Sequence, residues 1–128
     1  MRRIALFGLL GILLFALFAC GAKADGTAKS FFKALESNDY ETARSLSTPS
    51  SARTLDWMES NYKMLPESST ESVAKVRYLV KKTEVQGDAA TVNYDSWVVG
   101  RGESKESKTL EMVKEDGKWY VVFREEEL

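Results

Sequence analysis

The chain contains no histidine, one cysteine and two prolines in 128 residues. Without histidine it lacks the usual neutral-pH general base and the commonest metal ligand. A single cysteine, Cys20, excludes an internal disulfide, and no Cys/His spacing exists for zinc. The scattered Asp and Glu residues lack a calcium-loop pattern. Neither a metal nor a cofactor is expected. Charge of one sign is also scarce: 18 Lys+Arg face 19 Asp+Glu, a formal net charge of −1. No strong basic field therefore calls for nucleic acid. There is no internal repeat and no low-complexity block. A hydrophobic share of 44% with 29% charged residues is that of an ordinary folded chain, and the length suits one domain.

What is present begins at the amino end. Met1-Arg2-Arg3 is a short positive stretch, and Ile4 to Phe18 is an uncharged apolar run. A bilayer core needs about 20 residues, so the run is short for a span and suits an export signal. It ends in Leu17-Phe18-Ala19-Cys20. This resembles the bacterial lipobox, with Leu at −3, a small residue at −1 and Cys at +1. Phe18 is bulkier than the usual residue at −2. The resemblance implies that residues 1–19 are a signal peptide, removed by signal peptidase II. It implies that Cys20 stays as the lipidated first residue, carrying diacylglycerol on its thiol and, in many bacteria, an acyl chain such as palmitate on its amino group. Two or three chains anchor a protein stably. Losing Arg2 and Arg3 takes the formal charge from −1 to −3. In a Gram-negative cell, Gly21 in place of an Asp at the second position implies the outer membrane, facing the periplasm. Residues 20–26 read as lipid site and short extended tether, with a reach of roughly 20 Å at about 3.3 Å per residue. Residues 27–128 read as the domain.

Within the domain, Ala28, Phe31, Phe32 and Leu35 recur at helical spacing. This helix should stop near Ser37-Asn38. Asp39 reads as the N-cap of a second helix with Tyr40, Ala43 and Leu46 on one face. Thr48-Pro49 signals a third start, a capping hydroxyl before a proline. The following stripe is Leu55, Met58, Tyr62 and Leu65, with Trp57 alongside, and Pro66 closes it. After the polar connector "ESSTES" the period changes to two. Val76, Tyr78, Val80, Lys82 and Glu84 should share a face with Ala90, Val92, Tyr94, Ser96 and Val98 across a Gly87-Asp88 turn. "KTLEMVKEDGKWYVVF" reads as a hairpin. Asp116-Gly117 suits a two-residue type I′ turn and pairs Leu110 with Phe123, Met112 with Val121 and Glu115 with Lys118. The fold class is α+β: amino-terminal helices on a four-stranded antiparallel sheet.

Phe31-Phe32 with Leu35, Asp39-Tyr40 with Ala43, Gly87-Asp88 with Ala90 and Val92, and Lys118-Trp119-Tyr120-Val121 carry a family resemblance. From about Ala24 to Phe123 the chain is similar to small bacterial lipoproteins of unknown function in the nuclear transport factor 2-like superfamily, also called cystatin-like. The resemblance implies a curved sheet wrapped around helices, often with a cone-shaped cavity. It implies no reaction, because members bind, catalyse or only dimerise.

Enzymes of this fold, such as ketosteroid isomerase, place acidic and tyrosine groups deep in the cone. The alternation here puts one carboxylate, Glu84, on the inner face, near the turn, and turns Asp95 outward. Tyr78, Tyr94 and Ser96 remain as candidate pocket residues, or as core-edge residues with satisfied hydroxyls. Lys75, Arg77, Lys81 and Lys82 make a mildly basic strand, suited to anionic headgroups or to guarding an edge against aggregation. The acidic end Glu125 to Glu127 is expected to be solvated. Trp97 and Tyr120, with Leu79 and Val122, lie on the outer face and make it a candidate surface for a homodimer or an envelope protein partner. The sequence thus points to a lipid-anchored, non-enzymatic interaction domain. The alternative is a small isomerase or hydrolase of a hydrophobic substrate using the cone.

Overall fold

The computed structural model describes residues 21–66, 75–100 and 104–124. The expected signal segment with Cys20, the "ESSTES" connector and the acidic carboxyl end lie outside them. Helix α1 covers residues 21–36, α2 is Tyr40–Ser45, a 3₁₀ turn spans Pro49–Ser51, and α3 is Ala52–Lys63. Strands β1 (Val76–Gln86), β2 (Ala89–Val98), β3 (Glu106–Glu115) and β4 (Lys118–Val122) form one antiparallel sheet in the order β1-β2-β3-β4. No helix among the described residues is long and apolar enough to cross a membrane.

Helix α1 packs its apolar stripe into the sheet. Ala24, Ala28, Phe31, Phe32 and Leu35 are buried at spacings of four and three. The helix stops at a Schellman motif: Asp39 N–H donates to Ala34 O at 2.8 Å and Asn38 N–H to Leu35 O at 3.1 Å. Asn38 takes the left-handed conformation, φ 56°, that this motif requires. Asp39 then caps α2 as expected, its carboxylate accepting from Thr42 N–H at 3.2 Å and from the Thr42 hydroxyl at 2.7 Å. The Thr48 side chain does not cap. Its hydroxyl bonds those of Ser50 and Ser51, each at 2.9 Å, while its carbonyl accepts Ser51 N–H. On α3, Leu55 is fully buried and Met58 packs on the core, but Trp57 is exposed, as is Leu65 just beyond the helix end.

One expected short tether is corrected. Residues 21–26 are helical, Ala24 is fully buried, and Asp25 accepts from the Thr83 hydroxyl at 2.9 Å. Burying Ala24 and engaging Asp25 favours helix over an extended linker. Six helical residues rise only about 9 Å.

A second correction concerns β1. Its register with β2 shifts between Val80 and Lys82, a β-bulge at Lys81. One extra residue reverses the faces beyond it. Tyr78 and Val80 point inward before the bulge, Thr83 and Val85 after it. Lys82 and Glu84, expected on the inner face, instead form an exposed pair at 2.9 Å. The β3–β4 hairpin has the expected register, including Met112↔Val121 and Glu115↔Lys118. Asp116 and Gly117 both have positive φ, 51° and 79°, as a type I′ turn demands.

Both sheet edges are covered in part. On β4, Val121 N–H donates to Leu46 O at 2.8 Å, and Thr48 N–H donates to Val121 O at 2.9 Å. On β1, Glu36 accepts Tyr78 N–H at 3.0 Å and pairs with Arg77 at 3.2 Å. Covering an edge in this way blocks pairing with a foreign strand.

Candidate functional site

The inner face of the sheet brings Tyr78, Tyr94 and Ser96 together. Tyr78 sits opposite Ser96 in the β1–β2 register, and Tyr94 follows one inward position along. Tyr94 is 1% exposed and Ser96 is 8% exposed. Phe32 of α1 fills the space over them. Its ring centroid is 4.8 Å from Tyr78, nearly parallel at 16°, and 4.6 Å from Tyr94. The two tyrosine rings are 6.2 Å apart. Phe31 meets Phe123 edge-on at 5.2 Å. These separations are those of packed aromatic pairs. With the bulge, the inward side chains of β1 and β2 include no carboxylate: they are Tyr78, Val80, Thr83 and Val85, then Ala90, Val92, Tyr94 and Ser96.

The titratable groups follow the same pattern. The carboxyl of Asp25 is held below its ordinary value, first by the Lys29 ammonium at 2.8 Å, against a desolvation cost, with help from Thr83. Asp39 is lowered by its Thr42 bonds. The Tyr40 hydroxyl is raised, first by burial, then by Tyr62 and Glu59 nearby. Lys82 is raised by its hydrogen bond to Glu84. A general acid working at neutral pH needs a carboxyl shifted up, and these two aspartates are shifted down.

Trp97 and Tyr120 share the outer face but do not meet. Trp97 is the penultimate residue of β2, opposite Arg77, with the Lys105 ammonium 4.8 Å from its ring centroid. Tyr120 faces Val113, which faces Ala89 at the start of β2. Eight residues separate Ala89 from Trp97, roughly 26 Å at about 3.3 Å each. Between them lie polar cross-strand pairs, Ser107 to Asp95 at 2.9 Å and Thr109 to Asn93 at 3.4 Å. Lys81 adds an ion pair to Asp95 at 3.7 Å. The outer face thus offers two separate apolar patches.

A groove that no local pattern announces lies between the start of α1 and the β3–β4 hairpin. It has a volume of about 630 Å³ and is lined by Lys23, Thr27, Ser30, Leu46, Lys118 and Trp119, among others. Three distant segments build it, so only the tertiary fold could reveal it. The nearest signal in the sequence was the "GKWY" hairpin arm. Trp119 is 5% exposed, and its indole Nε1 is buried with no hydrogen-bond partner among the described residues. A second groove, about 540 Å³, opens on the other flank of α1, where Asp25 meets Lys81, Lys82 and Thr83. No group of His, Cys, Asp and Glu among the described residues could hold a metal ion.

No protein-family model matches this chain, and no curated protein matches it in sequence. Solved structures do match in shape. A protein of unknown function from Mycobacterium tuberculosis aligns with a TM-score of 0.60 at 16% identity, over 87% of this chain and 72% of that one. A putative nuclear transport factor 2-like transpeptidase from Campylobacter jejuni aligns with a TM-score of 0.51 at 17% identity, over 78% of this chain and 97% of that one. A nuclear transport factor 2-like protein of unknown function from Cytophaga hutchinsonii gives 0.50 at 17% identity, over 81% and 92%. The chain has a nuclear transport factor 2-like α+β fold, which its helices and four-stranded antiparallel sheet make explicit. At these identities the likeness concerns fold alone.

Proposed function

We propose that this protein is a lipid-anchored lipoprotein of the bacterial cell envelope whose domain serves binding and not catalysis. The anchor is Cys20, the first residue after the export signal. The observation that carries the binding role is the Phe32 ring packed against Tyr78 and Tyr94, where an enzyme of this fold would keep substrate space. An inner face without carboxylates on β1 and β2 supports the same reading. Among the described residues, the surface offers grooves on both flanks of α1 and outer patches around Trp97 and around Tyr120. A protein partner or a second copy would use a patch.

The anchoring is tested by metabolic labelling with an alkynyl palmitate. The wild type takes up label and migrates as a processed band. Cys20→Ser loses both; continued labelling overturns the assignment. The binding role is tested by cross-linking in intact cells through a photoreactive residue at Trp97 or at Tyr120. A discrete adduct at one of them, with a partner or with itself, is expected. Turnover of an apolar ester or epoxide, abolished by Tyr78→Phe, would instead establish an enzyme.

A further inference from the structure

We infer that the groove between α1 and the β3–β4 hairpin binds a phosphate group, supplied in the anchored protein by a phospholipid headgroup. The headgroup as source rests on the lipid attachment proposed at Cys20; the phosphate chemistry does not.

The groove has the size of a small-molecule site, about 630 Å³. Lys23 and Lys118 line it, and among the described residues no carboxylate does. Nearby acids lie outside its lining: Asp25 is engaged by Lys29 and Thr83, Glu115 ends β3 opposite Lys118, and Asp116 belongs to the turn. Lysine offers a compact positive charge suited to phosphate.

The strand edge adds directed donors. Val121 N–H points away from β3, because it donates to Leu46 O. Alternate residues of an antiparallel strand point their main-chain groups the same way. The Trp119 N–H therefore also faces away from β3, on the side that α1 and Leu46 flank. Beyond it, Val121 and Phe123 are already satisfied by Leu46, Thr48 and Ser51. Trp119 thus marks the stretch of edge left for a ligand. The indole N–H of the same residue is buried without a partner among the described residues. A buried donor is rarely left unmet, so an acceptor, from a water or from a ligand, belongs at this position.

The groove also lies where headgroups would be. Gly21 is bonded to Cys20, and Lys23 is about 3 Å further along the helix axis. Ala24 and Asp25 hold this first turn to the sheet. A lipid on Cys20 would bring the groove to the headgroup layer without an intervening linker.

The test uses the full-length chain, processed in a lipidating host, held in uncharged detergent and labelled with ¹⁵N-tryptophan. The Trp119 indole resonance is assigned with Trp119→Phe. Inorganic phosphate and short-chain phosphatidylglycerol are titrated separately. A saturable shift of the Trp119 resonance is expected, with Trp57 and Trp97 unmoved. Lys23→Ala/Lys118→Ala should weaken binding about tenfold or more while the other resonances stay in place. Tighter binding of phosphatidylglycerol than of phosphate, by about tenfold, supports the headgroup. Equal affinities overturn the headgroup and leave a soluble phosphate compound. No shift with either probe, or one indifferent to both lysines, overturns the site. Failure of palmitate labelling at Cys20 would remove the anchor and leave the phosphate titration standing.

Discussion

The fully buried Ser51 hydroxyl accepts the main-chain N–H of Phe123 at 2.8 Å and donates to the carbonyl of Val121 at 3.3 Å. One side chain, 72 residues away in sequence, thereby completes the edge of β4. Ser51→Ala leaves the Phe123 N–H buried without an acceptor. The expected loss is about 1–3 kcal/mol. Urea unfolding should show a lower midpoint with an unchanged slope. An unchanged midpoint would mean that water takes over the bond.

Phe32 closes the inner face over Tyr78 and Tyr94. Phe32→Ala removes a ring that is 3% exposed and should cost about 3–5 kcal/mol, the range for a large-to-small change in a packed core. Thermal unfolding measures it. A loss under about 1 kcal/mol would show that the site collapses or was not tightly packed.

The bulge makes an unusual deletion tolerable. Removing Lys81 leaves the pairs between β1 and β2 in place, because Lys81 is the residue skipped between Val80↔Tyr94 and Lys82↔Asn93. Thr83 and Val85 still point inward. Removing Asn93 from β2 instead reverses one half of a central strand. The first deletion should keep a cooperative thermal transition and the second should lose it. Loss of cooperativity in both would assign the bulge an indispensable role in sheet curvature.

Asp25 ties the first turn of α1 to β1, and its carboxyl is held below the ordinary 3.8 by Lys29 and Thr83. A lowered pKa means the folded state favours the ionised form. Its contribution is complete above pH 3.8 and is lost as pH falls through the lower folded value. Asp25→Asn should therefore be less stable than the wild type near neutrality, and the gap should close in acid. Paired urea titrations from pH 7 downwards check the sign. A gap that widens in acid would contradict it. The effect should be modest and should shrink with salt, since Asp25 is partly exposed.

Local chemistry made much of this fold readable. The helix stop at Asn38, the Asp39 cap and the Asp116-Gly117 turn each depend on a few adjacent residues, and each is found where the residue types place it. The β3–β4 register follows because turn length and side-chain alternation agree. The bulge was not readable. Lys81-Lys82 look like any two polar residues, and only the pairing of β1 with β2, packed on α1, chooses which one is skipped. Residues 21–26 misled for a related reason: Gly21 and Gly26 read as linker, while burial of Ala24 against distant strands makes them helix.

By itself, the sequence determined the α+β class and the hairpin register, because these rest on short-range patterns and chain length. Tertiary structure alone decided three things. It placed Phe32 against Tyr78 and Tyr94, it split the outer face into two patches, and it built the groove beside Trp119. Each of these joins residues far apart in the chain, and its energy comes from contacts that exist only after the sheet closes over α1.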